Sequence, residues 1–349
     1  MRPAADRSMG EARPRNRRGP PKTATYGAVD LGTHNCRMLI AEPAPGRSFR
    51  VVGSFSRVVR LGEGLSASGR LSEPAIRRAV NALKVCAGRL RGARVRNVRG
   101  VATEACRRAA NGPAFLARVE SETGLALEPI TPDAEARLTL DGCTPLLDPA
   151  FPRVLLFDIG GGSTEVSWIA HERPGDRARI LGTVSLPHGV VSFAERFGGD
   201  AVDPGAFAEM ADLVHGLLEP FDAAHDIGRA VAADEVQLIG TSGTVTTLAG
   251  VYLGLRRYAR TRVDGLAMNF DDVARVSAQL ADTDWQQRAD NPCIGPQRAD
   301  LVVTGCAILD AVCRRWPVGR LTVADRGIRE GLLMGMIDGG DGRRPVGGG

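Results

Sequence analysis

Asp158 and Glu165 bracket three successive glycines in the segment Asp158-Ile159-Gly160-Gly161-Gly162-Ser163-Thr164-Glu165. A backbone without Cβ atoms can come close to a ligand. Adjacent N–H groups in such a turn form a nest for anions. Gly160, Gly161, Gly162 and Ser163 are therefore candidates to cradle a phosphate. Two carboxylates beside that nest would repel the anion unless a cation stands between them. Carboxylate oxygens are the hard ligands Mg²⁺ takes, usually one or two per ion, with phosphate and water completing the shell. This makes Asp158 and Glu165 candidate ligands of Mg²⁺ or another divalent cation. The plainer reading of Asp158 is that it caps the turn.

A second turn of the same kind lies upstream. Asp30-Leu31-Gly32-Thr33 ends an apolar run, and a second apolar stretch, Cys36–Glu42, follows at once. Asp30, Gly32 and Thr33 form the matching phosphate cradle. Hydrolysis at a phosphate also needs an oriented water. Glu135, in the first turns of a helix opened by Pro132, can hold that water or take its proton. On spacing alone Glu135 is a solvated helix residue, since most such charges are exposed. Glu104 and Asp133 are the next carboxylates to consider for the role. Arg is the planar, bidentate phosphate binder. Arg60, Arg107, Arg137 and Arg298 are candidates to line the cleft, with Arg107 best placed after the strand Val98–Ala102.

The elements that must position these groups repeat. Thr25–Leu31 and Cys36–Glu42 read as strand, tight turn and strand, with Phe49–Leu61 a further strand. Val154–Phe157 and Val166–Ala170 repeat the pattern around the triple glycine, and Asp158 takes the place of Asp30. Between them Ser72 caps a helix from Glu73 to about Leu90, whose Ile76, Val80, Leu83, Ala87 and Leu90 recur at helical spacing. Pro113–Thr123 is a short helix stopped by Gly124, and Leu125–Ile130 is a strand. Downstream come strands at Ile180–Leu186, Glu235–Ile239 and Leu321–Val323. Helices are expected at Pro204–Ala223, Asp271–Ala281, Gln297–Trp316 and Ile328–Ile337. Two halves that each begin with a strand, an Asp-x-Gly turn and a returning strand imply two similar α/β domains, 25–150 and 151–325. The cleft between such domains is where phosphate ligands commonly sit.

Composition narrows the function further. The net charge of +5 over 349 residues resides in residues 1–24, where seven basic residues face two acidic ones. That Pro- and Arg-rich segment lacks the apolar content to fold. It reads as a disordered basic tail able to touch polyanions, and residues 339–349 as a second, Gly-rich one. Lys22 and Lys84 are the only lysines, so the lysine-dependent G-x-x-x-x-G-K-[ST] phosphate loop is excluded. The seven cysteines are scattered and none forms a C-x-x-C pair, as for reduced, buried thiols. No run approaches the ~20 apolar residues of a membrane helix. The N-terminus lacks the apolar core of a secretory signal. A cytoplasmic location is expected, with no membrane contact.

Together these blocks resemble the exopolyphosphatase and guanosine pentaphosphate phosphohydrolase (Ppx/GppA) family of the actin-like ATPase superfamily. The matching segments are Tyr26–Thr33, Val101–Arg107, Ile130–Arg137, Phe157–Glu165, Ile239–Thr244 and Gly327–Gly331, in the family's order. The resemblance implies two ribonuclease-H-like domains with an interdomain cleft, and a C-terminal helix, about 326–338, that packs back onto the first domain. It implies that Glu135 positions or deprotonates the attacking water and that Asp158 and Glu165 serve the divalent metal. It places Gly32, Thr33 and the Gly160–Ser163 turn on phosphates, with Arg107 in support. Thr241 and Gly243, in the Ile239–Thr244 block, join that phosphate-binding set. The family usually carries a small polar residue, often Asn, where this chain has His34, and Asn35 can assume part of that role. The substrate implied is inorganic polyphosphate or, alternatively, the 5′ end of guanosine pentaphosphate. A catalytically weak sensor of polyphosphate or nucleotide is the non-enzymatic alternative. A homodimer is the family's expectation.

Overall fold

The computed structural model describes residues 24–45, 47–95, 97–171 and 177–339. The basic tail, apart from Ala24, and the Gly-rich C-terminus, apart from Gly339, lie outside the described residues. The first half contains strands β1 (Tyr26–Leu31), β2 (Asn35–Ala44), β3 (Arg47–Val58), β4 (Asn97–Ala102) and β5 (Leu127–Pro129). Its helices are α1 (Leu65–Ser68), α2 (Glu73–Gly92), α3 (Glu104–Arg108), α4 (Gly112–Thr123) and α5 (Pro132–Cys143). In the second half the strands are β6 (Arg153–Ile159), β7 (Thr164–Ala170), β8 (Arg179–Leu186), β9 (Val236–Thr241), β10 (Ala267–Asn269) and β11 (Arg320–Ala324). Its first helices are α6 (Val190–Phe197), α7 (Pro204–His225), α8 (Ile227–Ala232), α9 (Ser242–Tyr252) and α10 (Arg260–Val263). The last are α11 (Phe270–Ala281), α12 (Trp285–Asp290), α13 (Val302–Arg315) and α14 (Ile328–Asp338).

The two sheets share one plan. The first has the order β3-β2-β1-β4-β5, and the second β10-β11-β9-β6-β7-β8. In each, an antiparallel three-strand meander (β1-β2-β3 or β6-β7-β8) leads into parallel strands beside its first member. The parallel strands are β4 and β5 in one half, β9 and β11 in the other. The second sheet adds β10 at its edge, antiparallel to β11. Read in reverse strand order, one sheet maps onto the other. The repeat seen in the sequence is therefore a repeat of topology.

Each half has its own core, and two smaller clusters lie where the halves meet. Ile76, Val80, Leu83 and Leu90 of α2 pack with Met38, Ile40 and Phe115. The larger core gathers Phe157, Trp168, Phe193, Val214 and Leu218 with Ile308, Val312 and Trp316. Between the sheets lie α5 and α14. Leu332, Leu333 and Met336 of α14 pack against Ala28, Leu39 and Ala41 of the first sheet. Leu140 and Cys143 of α5 pack against Val154, Leu156 and Ile239 of the second. Leu138 of the same helix joins the α14 cluster, so α5 touches both halves. The helices cross at two glycines. A Cβ on Gly331 would fall on the carbonyl oxygen of Leu138, and one on Gly142 on that of Gly327.

Several elements differ from the sequence expectation. The helix expected over Gln297–Trp316 begins only at Val302. Gln297–Leu301 form turns instead, with Arg298 N–H donating to Gly295 O. The strand expected over Leu125–Ile130 is three residues long. Short helices α3, α8, α10 and α12, and edge strand β10, were without a clear periodic signal. The cysteines are free thiols, all buried except the half-buried Cys313. Among the described residues no helix is long and apolar enough to cross a membrane.

Candidate active site

The two Asp-x-Gly turns are built on the same hydrogen bond. Gly32 N–H donates to Asn35 O at 2.9 Å, and Gly160 N–H donates to Ser163 O at 3.0 Å. Both turns close a hairpin whose first strand carries an aspartate one residue from its end. The strand register then assigns each aspartate a partner. Asp30 pairs with Arg37, and Asp158 pairs with Glu165. Side chains directly opposite on an antiparallel pair have Cβ atoms ~4.5–5.5 Å apart. One half thus presents an acid beside a cation, and the other presents two acids side by side.

The two turns meet across the cleft. Gly161 lies against Thr33 and His34: a Cβ built on it would stand 3.1 Å from the Cβ of each. Asp30, Gly32, Thr33, Asn35, Gly160, Gly161 and Ser163 all line this cleft, as do Glu135, Asp158, Glu165 and Gly243. Helix α9 begins at Ser242, so Ser242, Gly243 and Thr244 bring a helix N-terminus, with its unpaired N–H groups, into the same space. Such termini attract anions through their free donors and the helix dipole.

Glu135 reaches the cleft because α5 starts where it does. Thr131 caps the helix, its hydroxyl accepting from Ala134 N–H at 3.2 Å, and Pro132 occupies the first turn. Glu135 is 7% exposed, contrary to the solvated reading of its spacing. Arg107 Nη1 donates to Glu135 Oε2 at 2.8 Å and to Ile130 O at 2.7 Å. Burial pushes the Glu135 carboxyl well above the usual range, Glu165 adds to the rise, and Arg107 opposes it. Glu165 accepts from Ser185 Oγ at 3.0 Å. Its carboxyl is pushed up to about 7 by burial and then by Asp158. Asp158 and Asp30 are raised chiefly by burial, with Arg37 pulling both down. Four carboxyls therefore face one cleft at raised pKa, Glu135 and Glu165 buried, Asp30 and Asp158 half-buried.

The remaining expectations sort by geometry. Arg107 braces Glu135 instead of lining the cleft, and Thr241 gives its hydroxyl to Arg326 O. Gly162 backs onto Glu104: its Cβ position is taken by that carboxylate. Glu104 itself, 6% exposed, accepts from Thr33 Oγ1 at 2.8 Å and from Arg108 Nη1 at 2.6 Å. Thr33 thereby turns its lone pairs, not its proton, to other partners. Asp133 is exposed and accepts from Thr183 Oγ1 at 2.9 Å. Arg137 is exposed, and Arg60 is ion-paired with Asp300 at 2.9 Å across the two halves. Arg298 does line the cleft. So does Arg37, which the motif reading passed over; Arg37 Nη2 lies 3.8 Å from where a Gly243 Cβ would be. The signal for it was the hairpin register opposite Asp30. His188 stacks on Phe193 with ring centroids 5.1 Å apart, a packing role.

The family model of the Ppx/GppA phosphatases matches residues 39–339. The chain belongs to the Ppx/GppA phosphatase family. It is 30% identical over 324 residues to Exopolyphosphatase 2 of Mycobacterium tuberculosis, covering 88% of this chain and 97% of that protein. The crystal structure of an exopolyphosphatase from Cytophaga hutchinsonii superposes with a TM-score of 0.80 at 26% identity, over 90% of this chain and 98% of that one. The Aquifex aeolicus Ppx/GppA family member gives a TM-score of 0.73 at 26% identity, over 91% and 98%. This Ppx/GppA protein has the expected actin-like architecture of two α/β halves. By its family it is a hydrolase of phosphoanhydride bonds.

Proposed function

We propose that this protein releases terminal orthophosphate from inorganic polyphosphate, with a divalent cation and with Glu135 positioning the attacking water. The observation that carries the reading is the meeting of three features in one cleft. These are the two backbone-walled turns, the Asp158–Glu165 pair, and a buried glutamate held by Arg107. The likeness to Exopolyphosphatase 2 of M. tuberculosis supports the same substrate.

The donor set suits Mg²⁺. Asp158 and Glu165 are adjacent acids with raised pKa, and Asp30 Oδ1 is buried without a hydrogen-bond partner. Among the described residues no three of His, Cys, Asp or Glu converge into a ready-made metal shell. Mg²⁺ takes one or two carboxylates and completes its shell from phosphate and water. Asp158 and Glu165 would hold the cation, which would supply positive charge to offset the carboxylate pair and the phosphate oxygens. Arg107 opposes the burial that raises the Glu135 pKa and so favours its ionised form. Glu135 then orients a water toward the terminal phosphorus and takes its proton. The nests of the two turns and the α9 terminus hold the phosphate oxygens.

The test is phosphate release from long-chain polyphosphate and from guanosine pentaphosphate, side by side, in Mg²⁺. A higher kcat/KM on polyphosphate is expected. A higher value on guanosine pentaphosphate would reassign the substrate. No release from either would leave a binding protein of the same fold.

A further inference from the structure

His34 is 6% exposed, lines the cleft, and has no hydrogen-bond partner on either ring nitrogen. It sits at the contact between the two halves, beside Gly161. The guanidinium groups that weigh on it are Arg60, Arg298 and Arg37. They come from three segments: the loop after β3, the turn before α13, and β2. Burial and these positive charges hold the ring neutral, with its pKa lowered to about 3. A neutral imidazole offers one donor and one acceptor, whereas an imidazolium offers two donors. Phosphate oxygens are acceptors only.

We propose that His34 contacts the substrate directly and that entry of a phosphate chain into the cleft loads a proton onto its ring, which then donates to phosphate oxygens through both nitrogens. The proposal rests on the reading that this cleft binds a phosphate chain. A phosphate chain in the cleft brings negative charge beside Arg37 and Arg298 and supplies acceptors to the unpartnered ring nitrogens, which together offset the burial and repulsion that hold the ring neutral, so the charged form is favoured only in the complex. The cleft's other charged groups are Asp30 on β1, Glu104 on α3, Glu135 on α5, Asp158 on β6 and Glu165 on β7, while Asp300 is tied to Arg60. None of the carboxylates is among the groups whose charge weighs on the ring. By linkage, a proton taken up on binding makes affinity rise as pH falls. Affinity then drops by up to about tenfold per pH unit as pH rises through the bound-state pKa. A histidine that merely fills space leaves affinity flat at this position.

The test uses the full chain carrying Glu135→Gln, to suppress turnover, with tripolyphosphate and Mg²⁺. Ring nitrogens are followed by NMR in ¹⁵N-labelled protein, and His34→Asn assigns the His34 signals. On saturation the His34 signals are expected to move from the neutral to the imidazolium pattern. Affinity measured by calorimetry from pH 6 to 8 is expected to fall more steeply with His34 than with His34→Asn, a comparison in which the titration of the phosphate and of the other cleft groups cancels. Saturable binding with the His34 ring still neutral would overturn this proposal and leave the polyphosphate reading standing. No binding of tripolyphosphate by either variant would overturn both.

Discussion

Arg107 Nη1 donates at once to the Glu135 carboxylate, at 2.8 Å, and to the Ile130 carbonyl at the end of the preceding strand, at 2.7 Å. The arginine comes from α3 and the glutamate from α5, so one guanidinium fixes the position of the buried acid and opposes the rise in its pKa. Glu135→Gln keeps the size and the hydrogen bond to Arg107 but cannot accept a proton. It should bind polyphosphate with Mg²⁺ and turn over at least ~100-fold more slowly, the lower end of general-base effects. Arg107→Ala acts differently. It removes the group that lowers the Glu135 pKa, while burial and Glu165 still raise it. The acid limb of the kcat–pH profile should then move to higher pH, and a profile that merely scales down would show that Arg107 has no hold on Glu135.

Asp158 and Glu165 stand opposite each other in the β6–β7 ladder. Asp158→Asn or Glu165→Gln removes one of the two charges a cation would see. Each should raise the Mg²⁺ concentration needed for half-maximal activity, or abolish turnover, with the circular dichroism spectrum unchanged. Wild-type rate and Mg²⁺ dependence in both variants would remove the pair from the metal site.

Glu165 also sets a pH dependence of stability in metal-free protein. Its folded pKa, pushed up to about 7, lies above the ordinary glutamate value of 4.5. Between those values the folded state holds more protons than the unfolded state, so stability falls as pH rises. Chelator-treated protein should lose Tm from pH 4.5 to pH 7, and Glu165→Gln should flatten the slope. Mg²⁺ should restore Tm most at the upper end of the window, where the pair is ionised and repels itself.

The sequence made the turns legible because glycine between acids has few bland uses. It made the halves legible because both carry the same strand–turn–strand pattern. Glu135 was different: its spacing reads as a solvated helix residue, and only the family motif raised it. Its burial depends on Arg107, 28 positions away in the chain. Arg37 lay in plain view but acquired its place through strand register, a long-range property that motif matching does not weigh. The late start of α13 follows from the turns over Gln297–Leu301, which continue no periodic signal and bring Arg298 to the cleft. Arg60 illustrates the converse case. It was a sound phosphate ligand by type, yet the fold gives it Asp300 from the other half.

Gly161 tests how closely the halves must approach. A Cβ at this position would come to 3.1 Å from Thr33 Cβ and His34 Cβ and 3.2 Å from His34 N. Those atoms belong to a turn closed by backbone hydrogen bonds, so relief has to come from the halves shifting apart by a few tenths of an ångström. Small misplacements in a site of this kind cost up to about 100-fold in rate. Gly161→Ala should lower kcat by about 10–100-fold while Tm changes little. Activity within twofold of wild type would mean that the turns need not touch during turnover.

Gly331 governs the other junction of the halves. It lies on α14 against the Leu138 carbonyl of α5, and Gly142 of α5 lies against the Gly327 carbonyl. Backbone atoms cannot rotate away as a side chain can, so any Cβ at Gly331 forces the helices apart. Leu138, Ile328 and Leu332 share one cluster at that crossing and would lose contact together. Overpacking of a close core contact costs typically ~1–3 kcal/mol, occasionally more. Gly331→Val should therefore lower the unfolding free energy by about that amount or beyond, and Gly331→Ala by less. The same crossing sets the height at which α5 presents Glu135, so Gly331→Ala should also lower kcat more than it raises KM. If Gly331→Ala left both Tm and kcat unchanged, the α5–α14 crossing would be too loose to position the glutamate, and Arg107 alone would carry that task.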